Sequence, residues 1–154
     1  MKPPMHHRQK PGLCGPSSLK ILLSHYGKEF TEDELAKICN ATTEEGTDHV
    51  GLISGLKEIG EHPIAKERTT IDDLRYYVER ETPVIVGWYS EYGEPDFHYS
   101  VVYDVTEEEI SMVDPERDEK TVTMSIEDFE KVWYDLEDPE NTRIDHWMLA
   151  VPAF

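Results

Sequence analysis

The sequence has no long apolar run. No stretch approaches the roughly 20 apolar residues that a membrane helix requires. Residues Met1 to Arg8 carry Lys2, His6, His7 and Arg8 without the apolar segment of a secretory signal. The expectation is a cytoplasmic chain that neither inserts in a membrane nor is anchored to one. Cysteine is scarce: Cys14 and Cys39 are too few for a disulfide scaffold, and in a reducing compartment each is a free thiol. Basic residues are outnumbered, 15 Lys plus Arg against 33 Asp plus Glu, for a formal charge of −18. An acidic field of that size repels phosphates and anionic headgroups out to the Debye length, so nucleic acid is not an expected partner. The charge could steer a basic peptide, but solubility is its simplest role. Metal-ligand spacings are missing as well. His6, His7, His25, His49, His62 and His146 are scattered, and neither Cys-x-x-Cys nor His-x-x-x-His occurs, so no metal and no cofactor are expected.

What remains is a chain of 154 residues, 38% hydrophobic and 10% aromatic, enough for one domain with a core. No repeat, heptad or linker divides it. Residues 1–8 read as an N-terminal arm and residues 9–154 as a single domain.

The first half has helical periodicity. Gly15-Pro16-Ser17-Ser18 opens a run through Leu19, Leu22, Leu23 and Tyr26 that closes at Gly27. Thr31-Glu32-Asp33-Glu34 has the capping-box pattern ahead of Leu35, Ala36, Ile38 and Cys39. Gly46-Thr47-Asp48 opens a third helix with Val50, Leu52, Ile53, Leu56 and Ile59 on its apolar positions. Thr70 and Asp73 cap a fourth, from Ile71 to about Arg80.

After Thr82-Pro83 the pattern turns to β-branched and aromatic runs: Val84 to Tyr89, Phe97 to Val105, Glu109 to Val113 and Thr121 to Met124. Turn-rich links, Glu91 to Pro95 and Asp114 to Asp118, predict antiparallel pairing of consecutive strands. Ser125 and Asp128 cap one more helix through Val132 and Trp133, and Trp147 to Val151 makes a last strand. Helices followed by strands predict an α+β domain.

Cys14 stands at the mouth of the first helix, where unpaired N–H groups and the helix dipole favour a thiolate. Cys39 sits at a C-terminal turn among Leu35 and Ile38 and reads as a small buried hydrophobe. A nucleophilic thiol needs a base, and the base needs a group to orient it. His98 enters a predicted core strand, and Asp114 ends the next one. If those strands form a hairpin, the start of one lies beside the end of the other, and His98 meets Asp114. Taken alone, His98 could be a satisfied core histidine and Asp114 an Asp-Pro turn starter. Gln9, five residues before Cys14, could donate its amide to a developing oxyanion together with the Cys14 N–H. Trp88, Tyr89, Tyr92 and Phe97 flank His98 and suit either a peptide groove or a packed strand pair. Trp133 and Trp147 suit core or groove edge equally. The acidic runs Glu107 to Glu109 and Glu137 to Glu140 read as solvated turns.

Gln9-x-x-x-x-Cys14-Gly15-Pro16-Ser17-Ser18, then His98-Tyr99-Ser100-Val101-Val102, then Val113-Asp114-Pro115 resembles the C39 family of papain-like cysteine peptidases, whose best-known members process bacteriocins at the N-termini of peptide exporters. The stretch from Thr47 to Gly60 is also similar to the family's segment between nucleophile and histidine. The resemblance covers about Gln9 to Trp133. It implies a papain-like fold, N-terminal helices carrying the Cys packed on an antiparallel sheet carrying His and Asp. It further implies Cys14 as nucleophile, His98 as base and then acid, Asp114 as orienting carboxylate and Gln9 as oxyanion donor. The expected reaction is peptide-bond cleavage through an acyl-enzyme, on a leader peptide or other peptide or protein substrate, with a separate transporter or precursor peptide as partner. Two alternatives stand beside it: a catalytically silent peptide-binding module on the same fold, and an acyl transferase on the same site.

Overall fold

The computed structural model describes residues 1–43, 46–93, 95–137 and 140–154. Among these residues the helices are α1 (Cys14–His25), α2 (Glu32–Ile38), α3 (His49–Glu58), α4 (Ile71–Val78) and α5 (Ile126–Val132). The predicted caps are made. Thr31 Oγ1 accepts from the Glu34 N–H at 3.0 Å, Asp48 Oδ1 from Gly51 at 2.7 Å and Ser125 Oγ from Asp128 at 3.0 Å, while Thr70 and Asp73 form a reciprocal capping box. α1 has no side-chain cap, and Pro16 occupies its first turn, where a missing N–H is tolerated.

The strands are β1 (Ile64–Lys66), β2 (Val84–Ser90), β3 (Asp96–Val105), β4 (Glu109–Val113), β5 (Val122–Ser125), β6 (Tyr134–Glu137), β7 (Thr142–Asp145) and β8 (Met148–Ala150). A six-stranded sheet runs β1-β8-β2-β3-β4-β5, and β6 with β7 forms a separate antiparallel pair. β2 to β5 pair consecutively and antiparallel, as the turn-rich links predict. Three strands were not expected. β1 is three residues long and pairs with β8, 86 positions away at Ile64↔Ala150, so no local pattern marks it. β6 and β7 are four residues each and hold Asp135, Glu137, Arg143 and Asp145, types that weaken any strand signal.

The sheet is covered on both faces. α1, α2 and α3 pack Leu19, Leu22, Leu35, Leu52 and Leu56 against Ile85, Val101 and Val113. α4 and α5 pack Leu74, Phe129 and Trp133 against Val84, Val86, Val102 and Met112. Burial on both faces explains why β2 reads as a continuous apolar run.

Several side-chain expectations resolve here. Cys39 is buried in the helical layer, and Trp88, Trp133 and Trp147 are core residues. Tyr89 and Phe97 pack on Tyr134 of β6, with ring centroids 6.2 and 5.5 Å away, and Tyr92 lies under the Arg117 guanidinium at 4.4 Å. Val50, expected on the apolar side of α3, is 71% exposed because the start of that helix borders an open cleft. Glu94 of the 91–95 link, and Asp138 and Pro139 of the acidic run, lie outside the described residues.

Candidate active site

Cys14 is the first residue of α1 and half-buried, beside the free N–H groups that the missing side-chain cap leaves there. Gly15 lets this turn approach the start of α3 closely: a Cβ there would stand 2.9 Å from Thr47 Cβ. His98 is the third residue of β3, opposite Trp88 of β2, and is 6% exposed. Asp114 follows the last residue of β4 and is fully buried. The register Val101↔Val113 sets the entry of β3 beside the exit of β4, and His98 Nε2 donates to Asp114 Oδ1.

The two alternatives for Asp114 are compatible, because it also starts the turn, accepting from the Glu116 N–H at 2.9 Å. Arg117 Nε donates to its other oxygen at 3.2 Å. Burial opposes the Asp114 charge, yet the bonds from His98 and Glu116 and the Arg117 charge together hold its pKa below the ordinary value. Burial likewise opposes a charged His98, but Asp114 and Cys14 act on the ring more strongly and raise its pKa. His98 Nδ1 also has Glu116 Oε2 at 3.6 Å, a neighbour with no sequence signal beyond its place after Asp-Pro.

Gln9 is brought to this end of the molecule through its backbone, whose N–H donates to Pro115 O at 2.8 Å. Its side-chain Oε1 is buried without a hydrogen-bond partner among the described residues. The arm before it is irregular, as expected, but tied down: His6 Nε2 donates to Asp114 O at 3.1 Å and Arg8 to Pro115 O at 3.3 Å. Glu32, read from sequence only as part of a cap, is the buried anchor of the same segment. Its carboxylate accepts from the Lys10 N–H at 3.1 Å, from His7 Nε2 at 3.2 Å and from Ser17 Oγ of α1.

Cys14 and His98 open onto a cleft of about 990 Å³, which also borders Phe97, His49 and Asp135. His49 and Asp135 were not singled out from sequence as a site. They lie 86 positions apart, and nothing local couples them. Among the described residues, two groups have ligand-type atoms all within 4.8 Å of one another: His49 with Asp135 and Glu137, and His98 with Asp114 and Glu116. Chemically, a thiol at a helix start and an imidazole bonded to a buried carboxylate, lining one cleft, are groups able to serve as nucleophile, base and orienting group.

Residues 3–136 match the model of the peptidase C39 family. The chain belongs to that family. It is therefore a cysteine peptidase, a hydrolase on a papain-like α+β fold. Over 120 residues it is 32% identical to the pediocin PA-1 transport/processing ATP-binding protein PedD of Pediococcus acidilactici; the match covers 78% of this chain and 16% of PedD. The peptidase domain of Streptococcus ComA, a bifunctional ABC transporter, superposes with a TM-score of 0.74 at 20% identity, over 98% of this chain and 99% of that domain. A double-glycine-motif protease from an AMS/PCAT transporter, solved with the leader peptide, gives 0.72 at 17% identity, covering 99% and 93%. A Bacillus anthracis protein described as a C39-like peptidase also gives 0.72 at 17%, covering 99% and 98%. At these identities the structural likenesses carry the fold. No helix among the described residues is long and apolar enough to cross a membrane.

Proposed function

We propose that this peptidase cleaves a peptide bond by acyl transfer to Cys14, with a leader segment of a precursor peptide as substrate. The observation that carries the reading is His98 bonded to buried Asp114, with Cys14 and His98 lining the same cleft. In the proposed step the Cys14 proton passes to His98 and the sulfur attacks the substrate carbonyl. The oxyanion takes hydrogen bonds from the α1 N-terminal N–H and the Gln9 amide. His98 then protonates the leaving amine as the C–N bond breaks, leaving a thioester. Water, deprotonated by His98, attacks the thioester and releases the carboxylate and the thiol. Asp114 holds the ring's tautomer and offsets its charge. The Gln9 backbone bond to Pro115 O, which ties the arm to the turn that Asp114 starts, supports the Gln9 role.

The leader-peptide part of the reading draws on what PedD and the AMS/PCAT protease are named for. It places the enzyme in the cytoplasm with a separate transporter or precursor as partner, residues 9–154 as the catalytic domain and residues 1–8 as an arm on it. The test is mass-spectrometric detection of cleavage in synthetic leader–core precursors. Cys14→Ala is expected to abolish it, His98→Ala to lower kcat by about 10³–10⁴-fold, and Gln9→Ala by about 10²-fold. Cleavage that survives Cys14→Ala overturns the reading.

A further inference from the structure

The cleft wall holds a second group of side chains that the proposed acyl transfer does not use. Successive residues of a strand point to opposite faces, so Asp135 and Glu137 of β6 face one way while exposed Leu136 faces the other. Both carboxylates converge on His49, the first residue of α3. His49 Nε2 lies 3.0 Å from Asp135 Oδ1 and 3.0 Å from Glu137 Oε1. Its Nδ1 meets the Tyr99 hydroxyl at 2.7 Å, and its ring stacks on Trp147 at 3.8 Å with 4° between planes. The imidazole is therefore fixed in position and in rotation.

This set is electrostatically incomplete. One imidazole nitrogen is shared by two carboxylates, and although Glu137 Oε1 also accepts from the His49 backbone N–H at 3.3 Å, two acidic groups meet in a largely buried wall around a single ring, an arrangement that a further cation relieves. Asp135 is 4% exposed, yet its Oδ2 has no hydrogen-bond partner among the described residues. The floor beneath is held open by Gly87, where a Cβ would collide with that Oδ2 and stand 3.4 Å from His49 Cε1.

We propose that His49, Asp135 and Glu137 form a binding site for a divalent transition-metal ion of the zinc type, in the wall of the cleft shared with Cys14 and His98. The geometry suits it. Metal bonds of about 2.0–2.2 Å to N and O set tetrahedral ligands about 3.3 Å apart, so the two 3.0 Å separations need to open by only a few tenths of an ångström. A hydrogen bond to Nδ1, supplied by Tyr99, is how a ligating imidazole is oriented to present Nε2. One imidazole and two carboxylates without sulfur is a donor set that Zn²⁺ and Co²⁺ both accept. The site itself stands independently of the leader-peptide reading.

The test titrates the intact chain carrying Cys14→Ala with ZnCl2 against a chromophoric chelator, and with CoCl2 by visible absorption. Expected are one Zn²⁺ per chain and a Co²⁺ spectrum of a low-coordinate N/O site, with binding weakened at least tenfold by Glu137→Gln and by Asp135→Asn. Glu137 is 22% exposed in its side chain, so its variant keeps the fold even if the buried Asp135 variant does not; circular dichroism checks both. Glu116→Gln, in the His98 group, is expected to leave affinity unchanged. The proposal is overturned by no binding at micromolar metal, by affinity that Glu137→Gln leaves intact, or by loss on Glu116→Gln instead. A thiolate-to-cobalt charge-transfer band in the wild type, with no Co²⁺ bound once Cys14 is replaced, also overturns it.

Discussion

Cys14 and Cys39 carry the same thiol in opposite surroundings. Cys39 is buried in the helical layer, and burial first, with the charges of Glu58 and Asp48 adding to it, pushes its pKa up to about 12. At pH 7 its thiolate fraction is then on the order of 10⁻⁵, which leaves it inert to alkylation. Cys14 stands at a helix start against a histidine whose proton is held by Asp114. Iodoacetamide near pH 6, followed by peptide mapping, is expected to label Cys14 alone, and His98→Ala to slow that labelling; equal labelling of both thiols sinks the assignment. Asp114 supplies a second residue-scale prediction. Its folded pKa lies below the unfolded value, so the stability it contributes is present above the ordinary carboxylate range and is lost as pH falls through the depressed one. Melting temperature against pH should therefore fall less steeply on the acid side in Asp114→Asn than in the wild type. Parallel acid limbs would show that the His98 bond contributes nothing to folding.

Between elements, the contact of α2 with α3 turns on missing side chains. A Cβ on Gly55 of α3 would come within 2.7 Å of Cys39 Sγ, and one on Gly51 within 2.6 Å of the Cys39 carbonyl oxygen. Gly55→Ala is thus expected to destabilise by about 1–3 kcal/mol through overpacking, despite Ala's better helix propensity. Adding Cys39→Ala should restore most of that loss, because the clash is with the sulfur. Thermal denaturation of both single variants and the double variant measures the coupling, and additive effects would refute the contact. The arm is the other contact between elements that matters for the site. Glu32 joins Lys10, His7 and Ser17, so the first turn of α2 also fixes the segment leading from Gln9 to Cys14.

For the whole molecule the dominant quantity is the charge of −18. Exposed pairs such as Lys10–Asp33 and Arg8–Asp118 offset little of it, since solvent screens charges held on long, mobile side chains. Self-repulsion should therefore exceed local attraction, and the melting temperature should rise as NaCl goes from about 20 to 500 mM, where the Debye length shrinks to a few ångströms. A melting temperature that falls with salt would mean that the surface pairs outweigh the net field.

The sequence by itself determined the elements whose signals are local. Caps at Thr31, Asp48, Thr70 and Ser125 mark helix starts because the bonds span three residues, and the β-branched runs from Val84 to Val113 mark strands buried on both faces. It also placed His98 and Asp114 together, because a hairpin's register follows from two adjacent strands and their link. Only the tertiary structure decided what depends on distant partners. β1 needs β8, the β6–β7 pair is too short and too charged to announce itself, and the anchoring of the arm needs the carboxylate of Glu32. The convergence of His49 with Asp135 and Glu137 has the same cause: a set spread from 49 to 137 has no period or spacing in the chain, and only the fold, which seats β6 on β2 and β3 beside the start of α3, creates it.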